Sequence, residues 1–341
     1  MSNNSRERKV RGSQIRSSRE NKRSNSRDKK EIRRLERQQQ GDDDSQYQSR
    51  VLPESDSFVE TPAVKRIKRR ASRWIDVSRP VHLIGPTGCG KTALAMNIAG
   101  MRDRPTVWIN GDADLSTSDL IGEFGEKERI SEKDKYVHNV QKSKEIIRDR
   151  WVDNPLSIAV REGATLVYNE FSRTKPVANN VLLSVFEEGI LELPGQRGES
   201  RYIEVHPEFR AILTSNSTEY AGAHKPQDAL LDRLIGIHMN FYDEETEQKI
   251  VSQHVDSLDA DTVTEMVRFF RQLRGTVEHS IGTRAMLMTA EALSTMESYD
   301  ETDVIELSTD VLASKIAHQD ELDHLREQIA EAIHKSDTEW R

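Results

Sequence analysis

From residue 51 onward, short apolar runs alternate with longer segments of helical spacing. Five runs, Val81–Ile84, Thr106–Ile109, Thr165–Tyr168, Ala211–Leu213 and Ile237–Phe241, have the length and continuous apolar character of strands buried on both faces. Between them, Lys91–Ala99 follows a glycine-rich turn. Val177–Glu188 repeats Val177, Val181 and Val185 every four residues, and Leu182 and Phe186 widen that stripe. Strands alternating with helices predict an α/β fold with a parallel sheet covered on both faces. After Tyr242 the strand signal stops. Asp261 reads as the N-cap of a helix carrying Val263, Met266, Val267, Phe270 and Leu273 and closing at Gly275; further helices are expected over Thr283–Met296 and Ser308–Lys335. The pattern divides the chain into an α/β domain over 51–242 and a helical subdomain over 243–341.

Residues 1–50 stand apart. They are rich in Ser, Asn, Gln, Arg and Lys and nearly free of large apolar groups, so they cannot bury enough surface to offset chain entropy. They read as a disordered basic tail, with a marginal helix conceivable around Lys29–Gln38. The tail holds 15 basic and 8 acidic residues, whereas the remaining 291 hold 35 basic and 50 acidic, within a formal total of -8. An acidic body argues against a nucleic-acid platform, and a basic tail suits either solvent or an acidic partner. Cys89 is the sole cysteine, which excludes an internal disulfide and a thiolate metal site and fits a reducing, cytoplasmic setting. No run approaches the length of a membrane-spanning helix, and the N-terminus lacks the apolar core of a signal peptide. The ten histidines show no metal-binding spacing, and His82, inside a strand, reads as a core residue.

Gly85-Pro86-Thr87-Gly88-Cys89-Gly90-Lys91-Thr92 matches the phosphate-binding pattern G-x-x-x-x-G-K-S/T in full, after a strand and opening a helix. Its glycines let successive N–H groups turn toward phosphate oxygens, at the positive end of a helix. Lys91 is positioned for the β- and γ-phosphates, and the Thr92 hydroxyl for Mg²⁺, so the expected ligands are ATP and Mg²⁺. A later strand should end in an acidic pair. Here Thr165–Tyr168 runs into Asn169 and Glu170, which makes Glu170 the candidate general base. Asn169 occupies the place of the expected aspartate; its amide oxygen can serve a metal-bound water but brings no charge. Asn216, after the strand Ala211–Leu213, can orient the same water.

These segments together resemble the MoxR-type branch of AAA+ ATPases and, within it, the gas vesicle protein N family. The resemblance runs from about Val51 to Met288 and is carried by 51–62, Gly111-Asp112, 117–120, 179–185, 214–216, 219–222, His224 and 227–230. It implies a five-stranded sheet in the order 5-1-4-3-2 and an all-helical C-terminal lid. It also implies a sensor role for Asn216, an arginine finger at Arg233 reaching a neighbouring subunit's γ-phosphate, and a lid arginine at Arg284. Arginine suits both tasks, since its planar fork stays charged. Two inserts are expected, around Trp151–Val160 and as a hairpin over Leu191–Val205. The implied assembly is a homo-oligomer, a hexamer by analogy, whose partners are the vesicle shell or other gas vesicle proteins, in the cytoplasm or on the vesicle. Asn169 and the basic tail depart from the family pattern.

Three functions follow: an ATP-driven, chaperone-like assembly factor for gas vesicles; a nucleotide-gated scaffold in which Asn169 leaves turnover negligible; and, least favoured by the acidic body, a nucleic-acid-acting ATPase with residues 1–40 as an electrostatic arm.

Overall fold

The computed structural model describes residues 58–134, 142–216, 226–277, 280–314, 316 and 318–335. The basic tail, the helix near Lys29–Gln38, and the 219–222 and His224 stretches lie outside them.

Helix α1 (Pro62–Asp76) begins on a Thr61 cap with proline in its first turn and buries Val64, Ala71 and Ile75. It precedes β1 (Val81–Gly85), the glycine loop and α2 (Lys91–Gly100). β2 (Thr106–Asn110), β5 (Thr165–Asn169), β8 (Arg210–Asn216) and β9 (Ile235–His238) complete one parallel sheet in the order β2-β5-β8-β1-β9. Counting these five strands alone in chain order, that is 5-1-4-3-2. Alternation along the central strands serves two cores. Leu166 and Tyr168 with Ala211 and Leu213 face one, and Val167 and Ile212 face the other with α1 and α2. Both faces are covered, which is why these strands read as unbroken apolar runs.

Two antiparallel hairpins interrupt the alternation. The first pairs β3 (Gly122–Asp134), which follows α3 (Thr117–Ile121), with β4 (Lys142–Asp153). The expected insert at Trp151–Val160 therefore holds only the end of β4 and most of α4 (Pro155–Glu162); the true insertion begins some thirty residues earlier. Its charged sequence has no alternation to announce strands. The second hairpin, β6 (Ile190–Glu192) and β7 (Tyr202–Glu204), falls where expected.

The stripe over Val177–Glu188 forms two helices, α5 (Pro176–Asn179) and α6 (Val181–Glu187). Bonds of i+3 type at the junction, Asn180 N–H to Val177 O at 3.4 Å and Leu183 N–H to Asn180 O at 3.0 Å, rotate the face, leaving Val177 74% exposed while Leu182 and Val185 are buried. The last strand starts two residues earlier than Ile237, because its register is set by pairing with Val81–Ile84.

After α7 (Asp228–Leu231) and β9, the chain is helical: α8 (Glu244–His254), α9 (Ala260–Thr276), α10 (Thr283–Leu293), α11 (Glu301–Ala313) and α12 (Gln319–Lys335), with a core of their own. Asp259, not Asp261, caps α9, accepting from the N–H groups of Asp261 and Thr262 at 3.0 Å, and the helix runs through Gly275. The expected helix over Ser308–Lys335 is two, the first starting on a reciprocal Asp300/Asp303 capping box.

Candidate nucleotide site

The glycine loop curls because Gly88 and Gly90 take φ of 81° and 87°, a region that side-chain-bearing residues rarely enter. Behind it, Lys91 is 5% exposed, and its ammonium donates to Gly85 O at 3.0 Å, Pro86 O at 2.9 Å and Asn216 Oδ1 at 2.9 Å. All three acceptors are neutral. Burial pushes the Lys91 ammonium below the ordinary lysine range; the charges of Cys89 and Glu170 oppose that, and Arg284 adds to it. A buried cation held by neutral oxygens, beside a nest of N–H groups, is a site for an anion. Cys89 is buried, and burial holds its thiol above the usual range, as suits a packing residue of the loop.

β5 and β8 deliver the remaining groups to the same point. Asn169 Oδ1 accepts from Thr92 Oγ1 at 2.7 Å and Thr214 Oγ1 at 2.9 Å, and its amide nitrogen donates to Asn110 Oδ1 at 3.1 Å. Glu170 sits at φ 53°, a left-handed conformation uncommon for a non-glycine residue; its N–H donates to Thr214 Oγ1 at 3.1 Å. Asn216 bridges the cation and the carboxylate: its Nδ2 donates to Glu170 Oε2 at 2.8 Å while its Oδ1 receives Lys91. Thr92 and Asn169 present two hard oxygens at 2.7 Å separation beside the anion nest, a donor pair that fits Mg²⁺ sharing its remaining ligands with phosphate and water.

A cavity of about 540 Å³ opens over these groups. Thr87–Thr92, Asn169, Glu170, Asn216 and Arg284 supply its polar lining, and Phe58, Tyr242, Ile250 and Leu287 apolar lining of a kind suited to a flat base. Gly85 and Pro86 contribute the carbonyls beneath. Arg284, an exposed residue in the first turn of α10, thus reaches the site from the helical subdomain. The approach is tight: a Cβ on Gly282 would lie 2.6 Å from Thr87 O and 2.8 Å from Gly88 Cα, and Thr283 N–H donates to Gly88 O at 3.2 Å. Arg233 is the exception among the expected residues. It lies between α7 and β9, away from this cavity, and its guanidinium binds Glu187 and the Ala229 carbonyl.

Sequence reasoning missed two features. Arg173, in the short 3₁₀ turn after Glu170, also lines the cavity; its proximity to Glu170 in sequence was the available signal. Glu247 on α8 is fully buried, and takes Arg271 at 2.7 Å, Arg274 at 2.8 Å and the Thr283 hydroxyl at 3.0 Å. It ties α8, α9 and the start of α10 together through Thr283, the residue before Arg284, a buried charge satisfied by three side chains. Nothing in local spacing marks it.

The chain is similar to known proteins over most of its length. A family model for an AAA domain of the dynein-related subfamily matches residues 80–234. A RuvB point mutant of Thermotoga maritima superposes with a TM-score of 0.48 at 15% identity, covering 76% of this chain and 72% of that one. The gas vesicle ATPase GvpN of Haloferax mediterranei is 62% identical over 98% of both chains, and GvpN1 of Halobacterium salinarum 63% over the same share. GvpN of Ancylobacter aquaticus is 42% identical over 76% of this chain and 74% of its own. At 62–63% identity to two of these proteins over 98% of its length, the chain belongs to the gas vesicle ATPase GvpN family.

Proposed function

We propose that the chain is a magnesium-dependent ATPase acting as a chaperone-like assembly factor in gas vesicle formation. The observation that carries the catalytic part is Asn216, which joins the phosphate cation Lys91 and the carboxylate Glu170 in one cavity. Identity of 62–63% to gas vesicle ATPases over 98% of the chain supports the cellular part.

In this reading the triphosphate lies in the 85–92 loop, and Lys91 exchanges neutral carbonyls for phosphate oxygens, whose negative charge adds Coulomb attraction to the bond. Thr92 and Asn169 would hold magnesium, which would supply neutralising charge to the bound phosphates. Glu170 takes the proton of the attacking water. Asn216 holds that carboxylate by one oxygen, which fixes its direction. Lys91 and Arg284 stabilise the charge that develops on the transferred phosphoryl group. Arg233, outside its own chain's cavity, is the candidate to complete the site of a neighbouring subunit, which makes the active species a homo-oligomer, a hexamer in the simplest case. Its setting is the cytoplasm, with a share on the vesicle.

Phosphate release and nucleotide titration test the site together. Glu170→Gln should lower turnover by about 10²–10⁴ with ATP binding retained, and Lys91→Ala should lose both. Normal hydrolysis by Glu170→Gln would refute the assignment of the base. A scaffold reading draws on Asn169, whose neutral amide already occupies the Thr92 hydroxyl. Wild-type protein that binds ATP and releases no phosphate would establish it instead. Cells lacking the gene that still float would remove the assembly role.

A further inference from the structure

One face of α1 carries arginines that the nucleotide site does not use. Arg66, Arg69, Arg70 and Arg73 recur at i, i+3, i+4 and i+7, so they share a helical face, and all four are exposed. Among the described residues none of them has an ion-pair or hydrogen-bond partner; Glu60, at the margin, pairs with Lys65 and Lys68 instead. With Pro62 and Lys65 they line a groove of about 410 Å³. Burial of Val64, Ala71 and Ile75 on the opposite side fixes the direction in which the stripe faces.

Such a stripe has a cost. Like charges three and four residues apart weaken a helix, yet α1 keeps six basic residues against one acidic in a chain of formal charge -8. Trp74, 44% exposed, stands four residues after Arg70 on the same face. Arginine and tryptophan are the residue types that anchor protein interfaces, where they are shielded and paired on binding.

The complementary surface lies at the other end of the chain. α11 and α12 pack on one another and carry nine acidic residues against two basic. Asp310, Glu321 and Glu327 are exposed there. Among the described residues no ion pair joins α1 to these helices within one molecule.

We infer that the arginine face of α1 docks against the exposed acidic residues of α11 and α12 on a second copy of this chain. The contact is head-to-tail: each copy offers one surface and accepts on the other, so it propagates and closes into a ring when the rotation per step allows. It rests on the self-association part of the proposed function and is independent of hydrolysis. A nucleic-acid backbone would also satisfy arginine forks, but would run its continuous negative charge against a strongly acidic body.

Charge exchange tests the pairing. One variant of the full-length protein carries Arg66→Glu, Arg69→Glu and Arg73→Glu; a second carries Asp310→Lys, Glu321→Lys and Glu327→Lys. Sedimentation with saturating ATP and magnesium should show self-association weakened by about tenfold or more in each variant alone. Mixing the two should restore it, because reversed α1 then meets reversed α11–α12 while the native faces meet each other. ATP affinity of each variant should stay within about twofold of wild type, which reports intact folding. Wild-type mass in either variant alone, or no recovery on mixing, overturns the inference. So does loss of binding to a random-sequence DNA duplex by the arginine variant with its assembly unchanged. Wild-type protein that binds ATP yet stays monomeric overturns the ring and this contact while leaving the nucleotide site standing.

Discussion

Substituting Gly282 by alanine isolates the contact between the helical subdomain and the phosphate loop. Gly282 has φ -95°, so alanine brings no backbone strain, and any effect comes from its methyl group. That carbon would stand 2.6 Å from Thr87 O and 2.8 Å from Gly88 Cα, both backbone atoms that cannot swing aside. Reaching an ordinary 3.4 Å contact requires the two segments to part by about 0.8 Å. The Thr283 N–H bond to Gly88 O, already 3.2 Å, would be lost, and α10 would pull against the Glu247 anchor at Thr283. Overpacking of this kind costs about 1–3 kcal/mol, and the lost hydrogen bond about 1 kcal/mol. The cost falls on the docked arrangement in which Arg284 lines the cavity. ATP affinity should therefore drop by about tenfold or more, with turnover reduced alongside. The assays are nucleotide titration and phosphate release, with circular dichroism to verify folding. Adding Arg284→Ala to Gly282→Ala should cost little further, since the arginine has already been displaced. Wild-type affinity and turnover in Gly282→Ala, with the full penalty still exacted by Arg284→Ala, would refute the claim that this close approach positions the arginine.

Gly275→Ala is the matching control: nothing lies within 4 Å of the added carbon inside α9, so the melting curve should show stabilisation of about 0.5–1 kcal/mol with turnover unchanged. His82 is buried against Phe171 with its ring bound to Ser215 at 2.8 Å, and burial, helped by His238, lowers its pKa from 6.5 to about 4. The depressed value means stability is fully present above pH 6.5 and lost as pH falls toward 4, about 3 kcal/mol in all. Chemical denaturation at pH 7 and pH 4.5 should show a smaller acid loss in His82→Gln than in wild type; equal losses would exclude His82 as the cause. Asn169→Asp places a carboxylate between two hydroxyl donors, Thr92 and Thr214, and sacrifices the bond to Asn110. Turnover should be kept or raised and the magnesium requirement lowered, as read from phosphate release against magnesium concentration.

The nucleotide site was legible wherever chemistry depends on neighbours in sequence. The loop 85–92 and the pair Asn169–Glu170 are contiguous motifs, and the flanking strands are buried on both faces, so periodicity located them within a residue or two. Polar strands were not legible. β3 and β4 are stabilised by one another, and a charged ribbon carries no alternation for a sequence to display. The cap of α9 was misjudged by two residues because Asp259 and Asp261 are both plausible caps, and only the observed bonds to the N–H groups of Asp261 and Thr262 select the first. Glu247 was invisible for a deeper reason. Its partners lie 24, 27 and 36 residues away, and a buried carboxylate looks in sequence like any surface glutamate.

Arg233 raises the question of whether a residue bound within its own chain can serve another. Its guanidinium pairs with Glu187, and the two side chains are 27% and 58% exposed. Ion pairs that open to solvent contribute about 0–1 kcal/mol, so releasing Arg233 costs little. A γ-phosphate in a water-poor interface offers more: hydrogen bonds to charged groups are worth about 1.5–3 kcal/mol each, and the arginine fork can make two. In the proposed assembly, the balance would favour transfer to phosphate once a neighbour presented it, and return to Glu187 once hydrolysis removed it. The pair with Glu187 would then act as a holding position. It would hold the guanidinium oriented at the end of α7, half-buried and with its Nε left without a partner among the described residues, so that a second site could take it at little cost.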